Sequence, residues 1–161
     1  VHGDVPSFER ITLEAFQSGL SWLTILRKRE GFRRAFADFD PEVIARYGQR
    51  DHNRLMGDAS IVRNGAKIDA TITNAKALLR LRDAHGEGAL DELVWAHRPK
   101  RHERPQAADQ VVATTPESTA LSKSLKASGF VFVGPTTMHA AMQACGLIDD
   151  HLAACHVEVT A

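Results

Sequence analysis

Apolar side chains recur along this chain at intervals of three and four, the spacing that lines up one face of an α-helix. Phe8, Ile11, Thr12, Ala15 and Phe16 make one such face, and Ile68, Ile72, Ala75 and Leu79 make another. Period-two alternation is hard to find, so half-buried strands have no support. The breaks in the pattern carry helix-start chemistry. Asp40-Pro41-Glu42 and Thr115-Pro116-Glu117 each read as an N-cap, a first-turn proline and an early acidic residue. The pattern predicts an all-α fold with helices over about 5–17, 21–29, 31–38, 41–47, 51–57, 64–83, 89–96, 116–128, 135–145 and 149–155. The stretch from His97 to Pro105, proline-bounded and densely charged, reads as a solvated surface connector.

With 161 residues and 43% hydrophobic content, the chain is sized for one core and a single domain over 1–161. Acidic and basic side chains balance at 20 each, so any nucleic-acid contact must come from local patches. Arg27-Lys28-Arg29 with Arg33 and Arg34, and Arg63 with Lys67, can serve as such patches or as ordinary solvated charges. Cys145 and Cys155 are the only thiols, too few for a disulfide framework, which points to a reducing cytoplasm. No apolar run spans a bilayer, and Val1-His2-Gly3-Asp4 lacks both parts of a signal peptide. The expectation is a monomer with no membrane partner.

Three segments carry chemistry. In Leu13-Glu14-Ala15-Phe16-Gln17-Ser18-Gly19-Leu20-Ser21-Trp22 a helix bearing a carboxylate runs into a glycine turn, and a second helix opens with Ser21 as its cap. Glu14 and Trp22 can then face one cavity, a carboxylate beside an aromatic plate, which suits a cationic purine. In an arbitrary chain the commoner arrangement is a core tryptophan and a solvated glutamate. The second segment, Ser128-Gly129-Phe130-Val131-Phe132-Val133-Gly134-Pro135-Thr136-Thr137, reads as a short hairpin opening directly into a helix. Its outward N–H groups and the helix dipole suit a phosphate, while Phe130 and Phe132 serve equally as core plugs. The third runs from Cys145 to His156. On a helix, His151 and Cys155 share a face at i and i+4, half of a tetrahedral zinc site, unless they are a capping histidine and a buried thiol. His139 and His156 are substitutes that the spacing does not prefer.

Residues 13–22, Ile61-Val62-Arg63-Asn64 with Lys67-Ile68, residues 129–137, and Met142-Gln143-Ala144-Cys145-Gly146 through Asp150-His151 and Cys155 resemble the DNA-3-methyladenine glycosylase I family. The blocks run in order across nearly the whole chain and look most like actinobacterial members. The resemblance implies a helix-hairpin-helix glycosylase with a small zinc-binding lobe, acting on alkylated duplex DNA to release 3-methyladenine. It implies that Glu14 recognises the base, as catalytic carboxylate, and that Trp22 stacks on it. Gln17, Ser18, Gly19 and Leu20 match the loop that fills the gap in the duplex. Gly129, Val133, Gly134, Thr136 and Thr137 match the DNA-binding hairpin at about 116–145.

The family's zinc takes two ligands near its N-terminus and two from the C-terminal end, where His151 and Cys155 match. The N-terminal pair and the pocket aromatics of that segment have no counterpart here, and Tyr47 is the only tyrosine. The expectation is a member lacking its N-terminal segment, with an incomplete Zn2+ site. Many helix-hairpin-helix glycosylases resemble one another in a lysine after the hairpin glycine; Gly134-Pro135-Thr136-Thr137 has none, which predicts a monofunctional enzyme using water. Asp149 and Asp150 stand near the superfamily's usual aspartate, but an aspartate ahead of a helix is more often a cap. The alternative is a non-catalytic hairpin DNA-binding protein with an incomplete pocket. A helical scaffold without a DNA role would leave the hairpin and the Glu14–Trp22 pairing without purpose.

Overall fold

Helix α1 (Asp4–Gln17) is buried over almost its whole length, because neighbours cover it on several sides. It packs against α2 (Trp22–Ala35), α5 (Gly65–His85), α6 (Ala89–Trp95) and α8 (Pro135–Cys145). The computed structural model describes residues 1–157. Its remaining helices are α3 (Pro41–Ile44), α4 (Gln49–Gly57) and α7 (Pro116–Ala127), with short 3-10 turns at Ala37–Phe39 and Ala108–Gln110. No strand occurs among the described residues, and none of the helices is long and apolar enough to cross a membrane.

One side of the core, where α1 meets α2 and the turn after it, is a cluster of phenylalanines. Phe8, Phe16, Phe32, Phe36 and Phe39 are all fully buried, and the Phe16 and Phe32 rings meet at 4.8 Å. Such rings bury large apolar areas, and their offset and edge-on arrangements add roughly 0.5–1.5 kcal/mol per pair. Glu9, on the neighbouring face of α1, is gripped by Arg29 at 2.8 Å and by Arg33 at 3.0 Å. Burial raises its carboxyl pKa, but the two guanidiniums outweigh that and hold it below its usual value. Part of the basic run on α2 thus serves packing.

The predicted caps are present. Ser21 accepts from the Thr24 N–H, Asp40 from Glu42 and Thr115 from Ser118. Several expectations need correction. Helices at 21–29 and 31–38 are one helix, α2, which passes through Gly31; a Cβ there would run into the Ser60 backbone, so packing requires the glycine. The predicted 41–47 element ends its helix at Ile44. The stretch 149–155 is not helical: Asp149 Oδ1 accepts from the N–H of His151, a turn that competes with a helix start. Arg104 holds that stretch, donating to Asp149 at 2.6 Å, to the Cys155 carbonyl at 2.9 Å and to the Val157 carbonyl at 2.5 Å. The charged connector therefore clasps the described C-terminal residues.

Candidate active site

Three helices meet at a cleft of about 530 Å³. It is lined by Arg10, Glu14 and Gln17 of α1, Trp22 and Leu26 of α2, and Ala140, Gln143 and Ala144 of α8. The turn between α1 and α2 puts the first two walls face to face. Gly19 adopts φ +82°, Gln17 Nε2 donates to the Leu20 carbonyl at 2.9 Å, and the Leu20 N–H returns to the Gln17 carbonyl at 2.7 Å. Ser18, Gly19 and Leu20 stand exposed at the lip, with Leu20 41% exposed although apolar.

Glu14 is only 5% exposed. Burial pushes its carboxyl up to about 7, with Arg10, one helical turn earlier, pulling the other way. Among the described residues no hydrogen bond or salt bridge reaches the carboxylate, so Arg10 acts on it only through space. A buried carboxylate without a partner is costly to keep, and its charged form is stabilised by a cation or N–H donor entering the cleft. Trp22, half-buried at the start of α2, supplies an aromatic wall.

Lys67 corrects one expectation. It is neither solvated nor free to meet phosphate: its Nζ is buried and donates to the Phe16 carbonyl at 2.9 Å and the Ser18 carbonyl at 2.7 Å. Burial pulls its pKa below the ordinary lysine value. Its charge sits at the negative end of the α1 dipole and ties α5 to the lip of the cleft.

The second predicted segment forms a loop, 128–134, between α7 and α8. Gly129 takes φ +88°, its N–H returns to the Lys126 carbonyl, and the Phe130 N–H returns to the Leu125 carbonyl, closing α7. Phe130 and Val133 are buried and anchor the loop, so Val133 offers a ligand only its backbone. Phe132 is instead 45% exposed and holds φ +56°, a left-handed conformation that costs a non-glycine residue of order 1 kcal/mol. Asn74 of α5, missed in the sequence reading, secures the loop from below through Val131. Gly134 then caps α8, leaving the Thr136 and Thr137 N–H groups at an exposed helix start. A Cβ at Gly134 would meet nothing within 4 Å.

The third segment does not assemble as expected. His151 and Cys155 do not share a helix face, and His151 Nδ1 is paired with Asp149 at 2.7 Å. His139 is buried with Nε2 on Asp150 at 3.0 Å, and burial pushes the Cys145 thiol up to about 11, where it is a poor ligand. Among the described residues no three His, Cys, Asp or Glu side chains gather as a metal group. Tetrahedral zinc needs four donors, of which His151 and Cys155 would supply two. Tyr47 also lies away from the cleft, donating to the Ala35 carbonyl at 3.3 Å under Arg54.

The sequence reading missed Arg10, Leu26, Ala140, Gln143 and Ala144 as cleft residues. The signal available was spacing: Arg10 precedes Glu14 by one helical turn, and Ala140 and Ala144 are small residues at i and i+4.

A family model described as methyladenine glycosylase matches residues 1–158. DNA-3-methyladenine glycosylase 1 of Escherichia coli (strain K12) is 44% identical over 150 residues, covering 92% of this chain and 79% of that protein. A structure of a 3-methyladenine DNA glycosylase I variant in complex with 3-methyladenine matches with a TM-score of 0.85 at 35% identity, over 94% of this chain and 81% of that one. The Staphylococcus aureus 3-methyladenine DNA glycosylase I, whose structure addresses 3-methyladenine recognition, matches at 0.88 and 34% identity, over 97% and 83%. Sequence and architecture agree over nearly the full length, and the chain belongs to the methyladenine glycosylase family.

Proposed function

We propose that this chain is a base-excision-repair DNA glycosylase that removes 3-methyladenine from alkylated duplex DNA, with Glu14 and Trp22 reading the extruded base. The observation that carries the site assignment is the buried carboxylate of Glu14, unpaired among the described residues, in one cleft with Trp22. Methylation at N3 makes adenine cationic. Its charge favours ionised Glu14, its ring face stacks on the indole, and its exocyclic amine donates to the carboxylate. The cation leaves as a neutral base, so bond cleavage needs little acid help. The remaining demand is to stabilise positive charge building on the sugar, which the Glu14 carboxylate serves only through its field across the length of the base.

Extrusion costs a few kcal/mol of stacking and pairing. Exposed Leu20, on a turn braced by Gln17 and Lys67, fills the space the base leaves. The N–H groups of Thr136 and Thr137 bind a backbone phosphate at the α8 N-terminus, and the same helix then delivers Ala140, Gln143 and Ala144 to the cleft. Phosphate grip and base pocket thus share one rigid rod, about 1.5 Å per residue.

Water is the attacking group. No lysine follows Gly134, and Lys67, near the lip, has its Nζ committed to two carbonyls. Trapping with borohydride on methylated DNA is expected to yield no adduct. The unpaired thiols of Cys145 and Cys155 suit a reducing cytoplasm.

Release of free 3-methyladenine from alkylated duplex DNA under single-turnover conditions tests the proposal. Release that falls at least about a hundredfold in Glu14→Gln supports it. No release from the folded wild-type chain overturns the catalytic reading in favour of a DNA-binding module.

A further inference from the structure

Gln143 faces Glu14 and Trp22 from the α8 wall of the cleft, and its amide is not free to choose an orientation. Its Nε2 donates to Asp150 Oδ2 at 2.5 Å. Asp150 is itself held by His139, whose Nε2 lies 3.0 Å from Oδ2, while His102 Nε2, hydrogen-bonded to the Asp149 carbonyl at 2.9 Å, lies 3.1 Å from Oδ1. His139 is buried, so this hydrogen-bonded relay is anchored inside the fold. An ionised carboxylate only accepts hydrogen bonds, so the NH2 end of the Gln143 amide must face Asp150. The amide oxygen is left on the other branch, and no hydrogen bond occupies it among the described residues.

We propose that Gln143 is a specificity-determining residue, presenting its amide oxygen to the cleft as a second acceptor for the exocyclic amine of the bound adenine. This rests on the assignment of the cleft as the base pocket. An adenine amine has two N–H groups, one for Glu14 and one for Gln143. A methylated guanine carries a carbonyl oxygen at the same ring position. Two acceptors would then face a third with no proton between them, the kind of mismatch that hydrogen-bonding sites reject strongly. Asp150 acts as a positioning residue: it never touches the base and decides which end of the Gln143 amide the base meets.

The test is single-turnover release of 3-methyladenine and of 3-methylguanine from the same alkylated duplex, by wild type, Gln143→Met and Asp150→Asn. The ratio of the two rates is the readout, because loss of folded protein scales both equally. Gln143→Met is expected to lower 3-methyladenine release about tenfold or more while 3-methylguanine release holds or rises, collapsing the ratio. Asp150→Asn supplies an NH2 that lets the Gln143 amide turn over, and its ratio is expected to fall between the other two. Equal losses for both bases in Gln143→Met, or an unchanged ratio, overturn the proposal. Activity that depends on Glu14 but gives an unchanged ratio in Gln143→Met defeats this inference alone. A wild-type chain that releases neither base defeats the pocket assignment and this inference with it.

Discussion

Asn74 holds Val131 from both sides of its backbone: its Nδ2 donates to the Val131 carbonyl at 3.0 Å, and its Oδ1 accepts the Val131 N–H at 2.8 Å. The side chain is buried in α5, so the loop between α7 and α8 is pinned to the longest helix in the molecule. The next residue, Phe132, is the one kept in a left-handed conformation with its ring exposed. Such strain persists only where the surroundings over-determine it. The clamp supplies that constraint.

Asn74→Ala is therefore expected to lower stability by about 1–3 kcal/mol and to weaken duplex binding, because the start of α8 loses its register. Thermal melting and a salt titration of DNA affinity check both. A stability loss with unchanged DNA affinity would separate the loop from the DNA face. The companion Phe132→Gly relieves the backbone strain, so it is expected to melt no lower than wild type.

Glu14 gives a stability prediction with a definite sign. Its carboxyl lies near 7 in the folded protein against 4.5 for a free glutamate, so between those pH values the folded state binds more protons. Stability contributed by protonated Glu14 is present below about 4.5 and is lost as pH rises through about 7. Glu14→Gln should accordingly raise stability at about pH 8 by on the order of 2–3 kcal/mol and change it little at about pH 5. Melting curves at the two pH values decide it, and destabilisation at the higher pH would mean that Glu14 has a partner in solution.

Catalysis should run opposite to stability. Only ionised Glu14 attracts the cationic base, so kcat/KM is expected to fall below about pH 7 with a slope of one proton. Once the base is bound, its charge favours the carboxylate, and kcat should hold to lower pH. A kcat/KM that is flat across this range, after subtraction of spontaneous release, would remove Glu14 from the acid limb.

The metal expectation can be settled by analysis of the purified 161-residue chain. His151 and Cys155 are two donors where tetrahedral zinc wants four, and His151 is already paired with Asp149. The expected result is less than one zinc per chain and a melting temperature unmoved by chelator. Stoichiometric metal would show donors beyond those gathered among the described residues.

The helical architecture was legible because it rests on local signals. Ser21, Asp40 and Thr115 bind the N–H groups their positions predicted, and the apolar spacing of α1 and α5 marks their buried faces. Misreadings arose where a distant partner decides. Gly31 looks like a break until Ser60 is seen against it, and 149–155 has a helical pattern overridden by Arg104, about 45 residues earlier in the chain. The Glu14–Trp22 pair was legible because one short turn joins the two residues. Gln143 was not, since only tertiary packing brings α8 to that cleft. Asn74 left a faint trace, a polar residue on the apolar face that also carries Thr71, Ala75 and Leu78.

Lys67 offers the sharpest test of the extrusion step. Its Nζ bonds to the Phe16 and Ser18 carbonyls hold the end of α1 and the turn that raises Leu20, while its stem fills buried space. Lys67→Met keeps most of that volume and removes both charge-assisted bonds, at a cost of about 2 kcal/mol or more. Glu14 and Trp22 lie on the two helices rather than on the turn, so the pocket should survive while the plug loosens. Release of 3-methyladenine is then expected to fall several-fold more from a fully paired duplex than from one with no base opposite the lesion, where extrusion costs less. Equal losses on the two substrates would place Lys67 in the pocket's support and leave the turn without a part in extrusion.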